Sequence, residues 1–155
     1  MLMVCEICSA EMTKEGEISS LLVIDTGATD TAASPEKWAK VAEHIRTVDP
    51  GATVIVDRER GKSIKFRVAS GDIASAYAHI TITGKECNLE GFSIEHPGNI
   101  GLLGCTWLDK QSAALDYSSK QMSWINSKGE EKCTTVQRAK NGHLLLDPVK
   151  IFQSH

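Results

Sequence analysis

Short segments in which apolar and polar residues alternate limit most strongly what this chain can fold into. A period of two is typical of strands with one buried face, and turn residues separate these segments. The strands predicted in this way are Leu2–Cys8, Ser19–Asp25, Thr53–Val56, Ser63–Ala69, Ile73–Thr83, Leu89–Glu95, Ala113–Tyr117 and Gln121–Ile125. A last hairpin pairs Thr134–Arg138 with His143–Leu146 across Asn141–Gly142. Many short strands with few helices predict an all-β barrel or sandwich.

Two helices are predicted between these strands. Ser34 is a suitable N-cap, and Pro35 suits the first helical turn. An apolar stripe at helical spacing follows, formed by Trp38, Val41, Ala42 and Ile45. The second helix is short and covers about Cys105–Lys110.

Composition and charge argue against several classes of partner. The net charge is −3 with both signs interspersed, so neither a nucleic acid nor an anionic membrane is an expected partner. No apolar run is long enough to span a bilayer. The segment Met1–Met12 lacks the basic start of a secretory signal. A cytoplasmic protein with its five cysteines reduced is therefore expected.

Cys5 and Cys8 form an isolated C-x-x-C pair. A structural zinc site needs four ligands, and no histidine or cysteine follows at finger or knuckle spacing. The favoured interpretation is a strand bearing two thiols, so no metal and no cofactor are expected. A zinc module is the alternative, and metal analysis of the purified protein distinguishes the two.

The sequence Asp25-Thr26-Gly27-Ala28 directly follows the apolar run Leu21–Ile24. Burial of a carboxylate at the end of a strand costs free energy unless the group is hydrogen-bonded or shares a proton. Glycine two residues later lets backbone or substrate approach closely. Taken alone, however, the tripeptide Asp-Thr-Gly favours a simple turn with an aspartate cap.

A second apolar run with glycines, Ile100–Gly104, precedes the predicted helix at Cys105. Together the two runs resemble the retropepsin family, the aspartic peptidases of retroviruses and long-terminal-repeat retrotransposons. The family pattern is an apolar strand with Asp-Thr/Ser-Gly-Ala, a flap hairpin, and a hydrophobic-hydrophobic-Gly segment that opens a short helix. Its counterparts here are Leu21–Ala28, Lys65–Tyr77 and Leu102–Leu108. The resemblance extends in the same order from about Ser19 to Tyr117.

This resemblance implies an all-β, retropepsin-like acid protease barrel protomer with one or two short helices. It also implies a homodimer, in which each chain supplies one Asp25. Peptide hydrolysis by this chemistry needs one ionised and one protonated carboxylate, and the chain holds a single Asp-Thr-Gly. The implied function is an aspartic endopeptidase, free of metal and cofactor, that cleaves an extended polypeptide. Its natural substrate would be its own polyprotein, in the cytoplasm or within virus-like particles.

Roles for individual residues follow from the resemblance alone. Those that would support the active-site loop are Thr26, Gly27, Ala28 and Gly104. Those that would bind substrate are Asp30, Ser70, Gly71, Asp72, Ile73 and Leu103. Asp30 is equally well explained as a solvated surface charge, and Ile73 as an ordinary hairpin residue.

The chain departs from compact viral enzymes in its length. A long segment lies between Ser34 and Gly61, and another follows Tyr117. Residues 1–125 are predicted to form the peptidase domain, and residues 126–155 a C-terminal extension that is a hairpin or a linker to a following polyprotein domain. Two alternatives stay open on the same fold. One is a domesticated cellular peptidase, and the other is a non-catalytic module for dimerisation or peptide binding.

Overall fold

The computed structural model describes residues 19–62, 64–67, 73–95 and 101–153, together with the backbone of residues 2–4. The strands are β1 (Leu2–Val4), β2 (Leu22–Ile24), β3 (Ala32–Ala33), β4 (Thr53–Asp57), β5 (Lys65–Arg67), β6 (Ile73–Thr83), β7 (Asn88–Ile94), β8 (Gly101–Leu103), β9 (Ala114–Asp116), β10 (Gln121–Ile125), β11 (Glu131–Thr135), β12 (Gln137–Arg138) and β13 (Leu144–Leu146). The helices are α1 (Pro35–Val48), α2 (Arg58–Lys62), α3 (Cys105–Lys110) and α4 (Val149–Phe152). Strands dominate, which confirms the all-β class.

Most strands join one sheet, in the order β1-β5-β6-β7-β3-β8-β2-β13-β12, with β4 paired to β6 beside this path. A second sheet has the order β11-β10-β9. The large sheet has two free ends, so the described strands do not close into a barrel. The barrel expected from the sequence is therefore not found in this part of the chain.

The helices are more numerous than the one or two short ones that were expected. The described residues contain four, and α1 alone has 14 residues. Helices α2 and α4 have five and four residues, too few to show an apolar period. The predicted bounds of the second helix, Cys105–Lys110, are confirmed.

Helix α1 begins where the sequence predicts. The Ser34 hydroxyl accepts a hydrogen bond from the Lys37 amide at 3.2 Å, and such a cap contributes about 1 kcal/mol. The predicted stripe is buried, and Trp38 Nε1 donates to the Phe92 carbonyl of β7 at 3.0 Å. Burial of the stripe fixes α1 against the sheet.

Strand β2 is buried on both faces. Leu22 and Ile24 pack in one hydrophobic cluster, which also contains Trp107 and Trp124. Val23 points into a second cluster with Phe92. This two-sided burial explains why the segment is a continuous apolar run rather than an alternating one.

The C-terminal segment is part of the same core. Strands β12 and β13 form a shorter hairpin than the one predicted across Asn141–Gly142, where Gly142 adopts φ +90°. Thr134 and Thr135, expected in its first strand, belong to β11 and pair with β10. Strand β13 also pairs antiparallel with β2, with Leu145 opposite Val23. The segment after residue 125 thus completes the sheet beside the strand that precedes Asp25, and α4 packs against α1.

Candidate active site

Asp25 lies at the carboxyl end of β2. Strands β2 and β8 are parallel neighbours, and the Asp25 amide donates to the Leu103 carbonyl at 3.0 Å, which continues their pairing. Carboxylate Oδ1 accepts from the Gly27 amide at 2.9 Å, and the Ala28 amide donates to the Asp25 carbonyl at 3.2 Å. The sequence left two interpretations open, and the aspartate-capped turn of the simpler one is present.

The tip of this loop is open to solvent. Asp25 is half-buried, whereas Thr26 and Gly27 are exposed. A β-carbon at position 27 would lie 3.1 Å from Asp25 Oδ1, so glycine allows the tight approach of the Gly27 amide to the carboxylate. Among the described residues, no second carboxylate hydrogen-bonds to Asp25.

The start of α3 is hydrogen-bonded to the end of the loop. The Cys105 amide donates to the Ala28 carbonyl at 2.9 Å, and the Thr106 amide and hydroxyl both donate to the Thr29 carbonyl, at 2.8 and 2.9 Å. Amides of a first helical turn have no partner within the helix, and here loop carbonyls satisfy them. The two segments that carry the resemblance therefore lie in direct contact.

Gly104, the N-cap of α3, packs closely against the residues that follow the loop. Its amide donates to Thr31 Oγ1 at 3.1 Å. A β-carbon at this position would lie 2.5 Å from the Asp30 carbonyl oxygen and 2.8 Å from the Thr31 amide nitrogen. Gly104 therefore packs directly against Asp30 and Thr31, which follow the loop; the resemblance implied a place beneath the loop itself.

The other predicted residues fall in different surroundings. Ala28 is buried in the second cluster, Asp30 is half-buried, and Ile73 is 53% exposed at the start of β6. Leu103 is wholly buried in the first cluster, which corrects its assignment to a substrate-facing surface. Ser70, Gly71 and Asp72, the predicted flap tip, lie outside the described residues.

Sequence reasoning missed two residues that hold the loop. Buried Thr31 accepts from Gly104 through its hydroxyl and from the Phe92 amide through its carbonyl, at 2.8 Å. Cys105 Sγ donates to the Thr26 carbonyl at 3.0 Å. Burial and the nearby Asp109 and Asp25 carboxylates raise the pKa of the Cys105 thiol. Both contacts join residues far apart in the sequence, so no local pattern signals them.

A charged cluster borders Asp30. His79 of β6 is buried, and its Nδ1 lies 3.4 Å from a guanidinium nitrogen of Arg60. Burial and the Arg60 charge lower the pKa of His79, partly offset by the Glu90, Asp57 and Asp30 carboxylates.

Glu90 of the same cluster forms an ion pair with Lys110 of α3 at 2.6 Å. Burial alone would raise the pKa of Glu90, but the Lys110 hydrogen bond and charge outweigh it, together with His79 and Arg60. The pKa of Glu90 is therefore lowered, and the pair connects β7 to α3.

The described ranges contain no cluster of three or more side chains that could jointly bind a metal ion. Cys5 and Cys8 lie outside those ranges. Of the helices described, none has both the length and the apolar character needed to cross a bilayer.

Comparison with protein-family models, with curated proteins and with solved structures returns no match.

Proposed function

We propose that this chain is one protomer of a homodimeric, retropepsin-like aspartic endopeptidase with Asp25 as its catalytic carboxylate. The observation that supports this most directly is the loop at residues 25–28, held between β2 and the start of α3. Its carboxylate is half-buried while Thr26 and Gly27 are exposed. An exposed loop of this kind is suited to meet the same loop of a second chain.

The chemistry requires both Asp25 side chains of the dimer. Two carboxyl groups held close together share one proton, because both cannot be ionised at once. The ionised group removes a proton from water, and the protonated group donates to the scissile carbonyl. The resulting hydroxide attacks that carbonyl carbon, so the mechanism has no covalent acyl-enzyme intermediate.

The proposed substrate is an extended polypeptide bound as an added strand beneath the β5–β6 hairpin. Ile73, exposed at the start of β6, is a candidate for apolar contact with it. By resemblance the natural substrate is the polyprotein that carries the enzyme, cleaved in the cytoplasm or in virus-like particles. The segment from Ser34 to Gly61 and the segment after Tyr117 make this chain longer than a compact viral protomer.

The test is cleavage of a mixed peptide library, followed by mass spectrometry across acidic to neutral pH. Wild-type protein is expected to cut internal bonds, and Asp25→Asn should reduce the rate by at least ~10³-fold, because asparagine cannot deprotonate water. Asp109→Asn, the same change at an exposed site on α3, is the matched control and should cleave normally.

Cleavage by Asp25→Asn at the wild-type rate would show that the catalytic assignment is wrong. A wild-type chain that forms dimers and binds library peptides but cuts none would favour the non-catalytic module instead.

A further inference from the structure

A second concave surface lies apart from the Asp25 loop, between α1 and the paired strands β4 and β6. This groove has a volume of about 680 Å³ and shares no residue with the loop at 25–28. Apolar side chains form most of its lining, among them Trp38, Ala39 and Ala42 of α1 and Val54 and Val56 of β4. A volume of this size is typical of ligand sites.

The described charged residues of the groove have the same sign. Arg46 of α1 and Arg58 at the start of α2 line it, and none of the other described lining residues is charged. Arg46 Nε makes one long hydrogen bond, at 3.5 Å, to the Ala52 carbonyl. Arg58 is exposed and forms no ion pair with any described residue. Two guanidinium groups beside an apolar surface favour an occupant with both apolar groups and carboxylates.

One wall of the groove is an edge strand. Among the described strands β4 pairs only with β6, so its other edge presents unpaired backbone groups. Ile55 and Val56 on this strand are 59% and 52% exposed. An exposed apolar edge is a template for the addition of another strand.

We propose that the groove and the free edge of β4 together bind an extended peptide segment whose groove-facing side chains, at alternate positions, are apolar apart from a carboxylate at the end of the segment. The segment adds to β4 as a strand. Its apolar side chains occupy the groove, and the carboxylate on the same face pairs with Arg58. This binding site is distinct from the Asp25 loop, and the assignment does not depend on peptidase activity.

Isothermal titration of the full chain with a blocked heptapeptide tests the charge and shape of the site. Serine alternates in this peptide with the groove-facing residues, which are valine in the middle and glutamate at each end. The glutamate peptide should bind, and its lysine counterpart should bind at least about tenfold more weakly. Arg58→Glu should weaken binding of the glutamate peptide about tenfold, whereas Lys62→Glu on the same helix, outside the groove, should leave it unchanged. Ala39→Trp, at an exposed position on α1, should fill the groove and abolish binding.

N-methylation of the peptide tests the added strand. In a strand, alternate amides point toward the same neighbour. Methylation of the amides at every groove-facing residue, or at every serine, should therefore give one peptide that binds and one that does not. Equal binding of the two methylated peptides would overturn strand addition.

Other outcomes would overturn the proposal as a whole. Equal affinity for the glutamate and lysine peptides would show that the arginines do not contribute to binding. Unchanged binding to a folded Ala39→Trp variant would show that the groove does not contribute to it. No binding of the glutamate peptide to the wild type would also refute it. If sedimentation then shows a wild-type dimer that Ala39→Trp dissociates, the groove is covered by a second copy of the chain. Circular dichroism confirms that each variant is folded.

Discussion

At the scale of single residues, Gly104 packs so closely against neighbouring backbone that it leaves no space for a β-carbon. A methyl group there would lie 2.5 Å from the Asp30 carbonyl oxygen, which is backbone and cannot move aside cheaply. We expect Gly104→Ala to lower the free energy of unfolding by ~1–3 kcal/mol. It should also reduce peptide cleavage, because the strain falls on the loop that carries Asp25.

Denaturant unfolding and the library cleavage assay measure the two effects of Gly104→Ala. Gly51→Ala is the matched control, because a β-carbon there meets nothing within 4 Å. If the two variants unfold at the same denaturant concentration, Gly104 is not the tight contact described above.

His79 makes stability depend on pH. Its pKa in the folded chain is below the ordinary value because of burial and Arg60. In the interval between the folded pKa and the unfolded value of about 6.5, the unfolded chain binds more protons. The contribution of neutral His79 is therefore fully present above pH ~6.5 and is lost as the pH falls through the folded pKa.

Unfolding midpoints measured from pH 8 to pH 5 check this expectation. The wild type should lose stability toward pH 5, and His79→Gln should flatten that slope. Arg60→Gln should flatten it partly, because removal of the guanidinium raises the pKa of His79. A wild-type slope retained in His79→Gln would assign the effect to another group.

At the scale of elements, the sequence predicts what local patterns encode. The N-cap at Ser34 and the bounds of β6 and β10 are confirmed, because capping and alternation depend on nearby residues. The place of β13 beside β2 was not predictable, because alternation identifies a strand but not its neighbour.

The sequence likewise predicts some features of the candidate site and misses others. The resemblance implied that Gly104 supports the Asp25 loop, and in the structure the start of α3 is hydrogen-bonded to that loop. The burial of Leu103 was missed, because a short apolar run does not reveal that both of its faces are covered. The cluster of His79, Arg60 and Glu90 was missed as well, since it joins three separate elements.

The β5–β6 hairpin is the element expected to move. Strand β5 has three residues, and Ile73 at the start of β6 is more than half exposed. A lid over a peptide substrate must open to admit it and then close to exclude water. We expect amide exchange at Lys65–Arg67 and Ile73–Tyr77 to slow when a hydroxyl-bearing transition-state mimic binds.

Hydrogen exchange with mass spectrometry measures this change. The β10–β11 hairpin, in the separate sheet, is the internal control and should exchange at the same rate with and without the inhibitor. Unchanged exchange at β5 with a demonstrably bound inhibitor would count against a role for this hairpin as a flap.

At the scale of the whole molecule, the chain supplies half of what the proposed reaction needs. It contains one Asp-Thr-Gly, and no second carboxylate in the described residues hydrogen-bonds to Asp25. Under the proposed mechanism, activity depends on association, because a monomer would supply one catalytic carboxylate and could not form a proton-sharing pair. Specific activity should fall on dilution below the dimer dissociation constant, by mass action.

Mixing of wild-type and Asp25→Asn chains separates this dimer from a single-chain enzyme. If chains pair at random, an equal mixture contains about one quarter wild-type dimers, so activity per wild-type chain should fall to about half. Excess variant should reduce it further, because every mixed dimer has one aspartate and one asparagine. Asp109→Asn chains, mixed in the same ratio, should not reduce it.

Incubation long enough for subunit exchange is required, since pre-formed dimers would hide the effect. Constant activity per wild-type chain in both mixtures, and on dilution to a demonstrated monomer, would refute the homodimer and require a second catalytic acid within the chain.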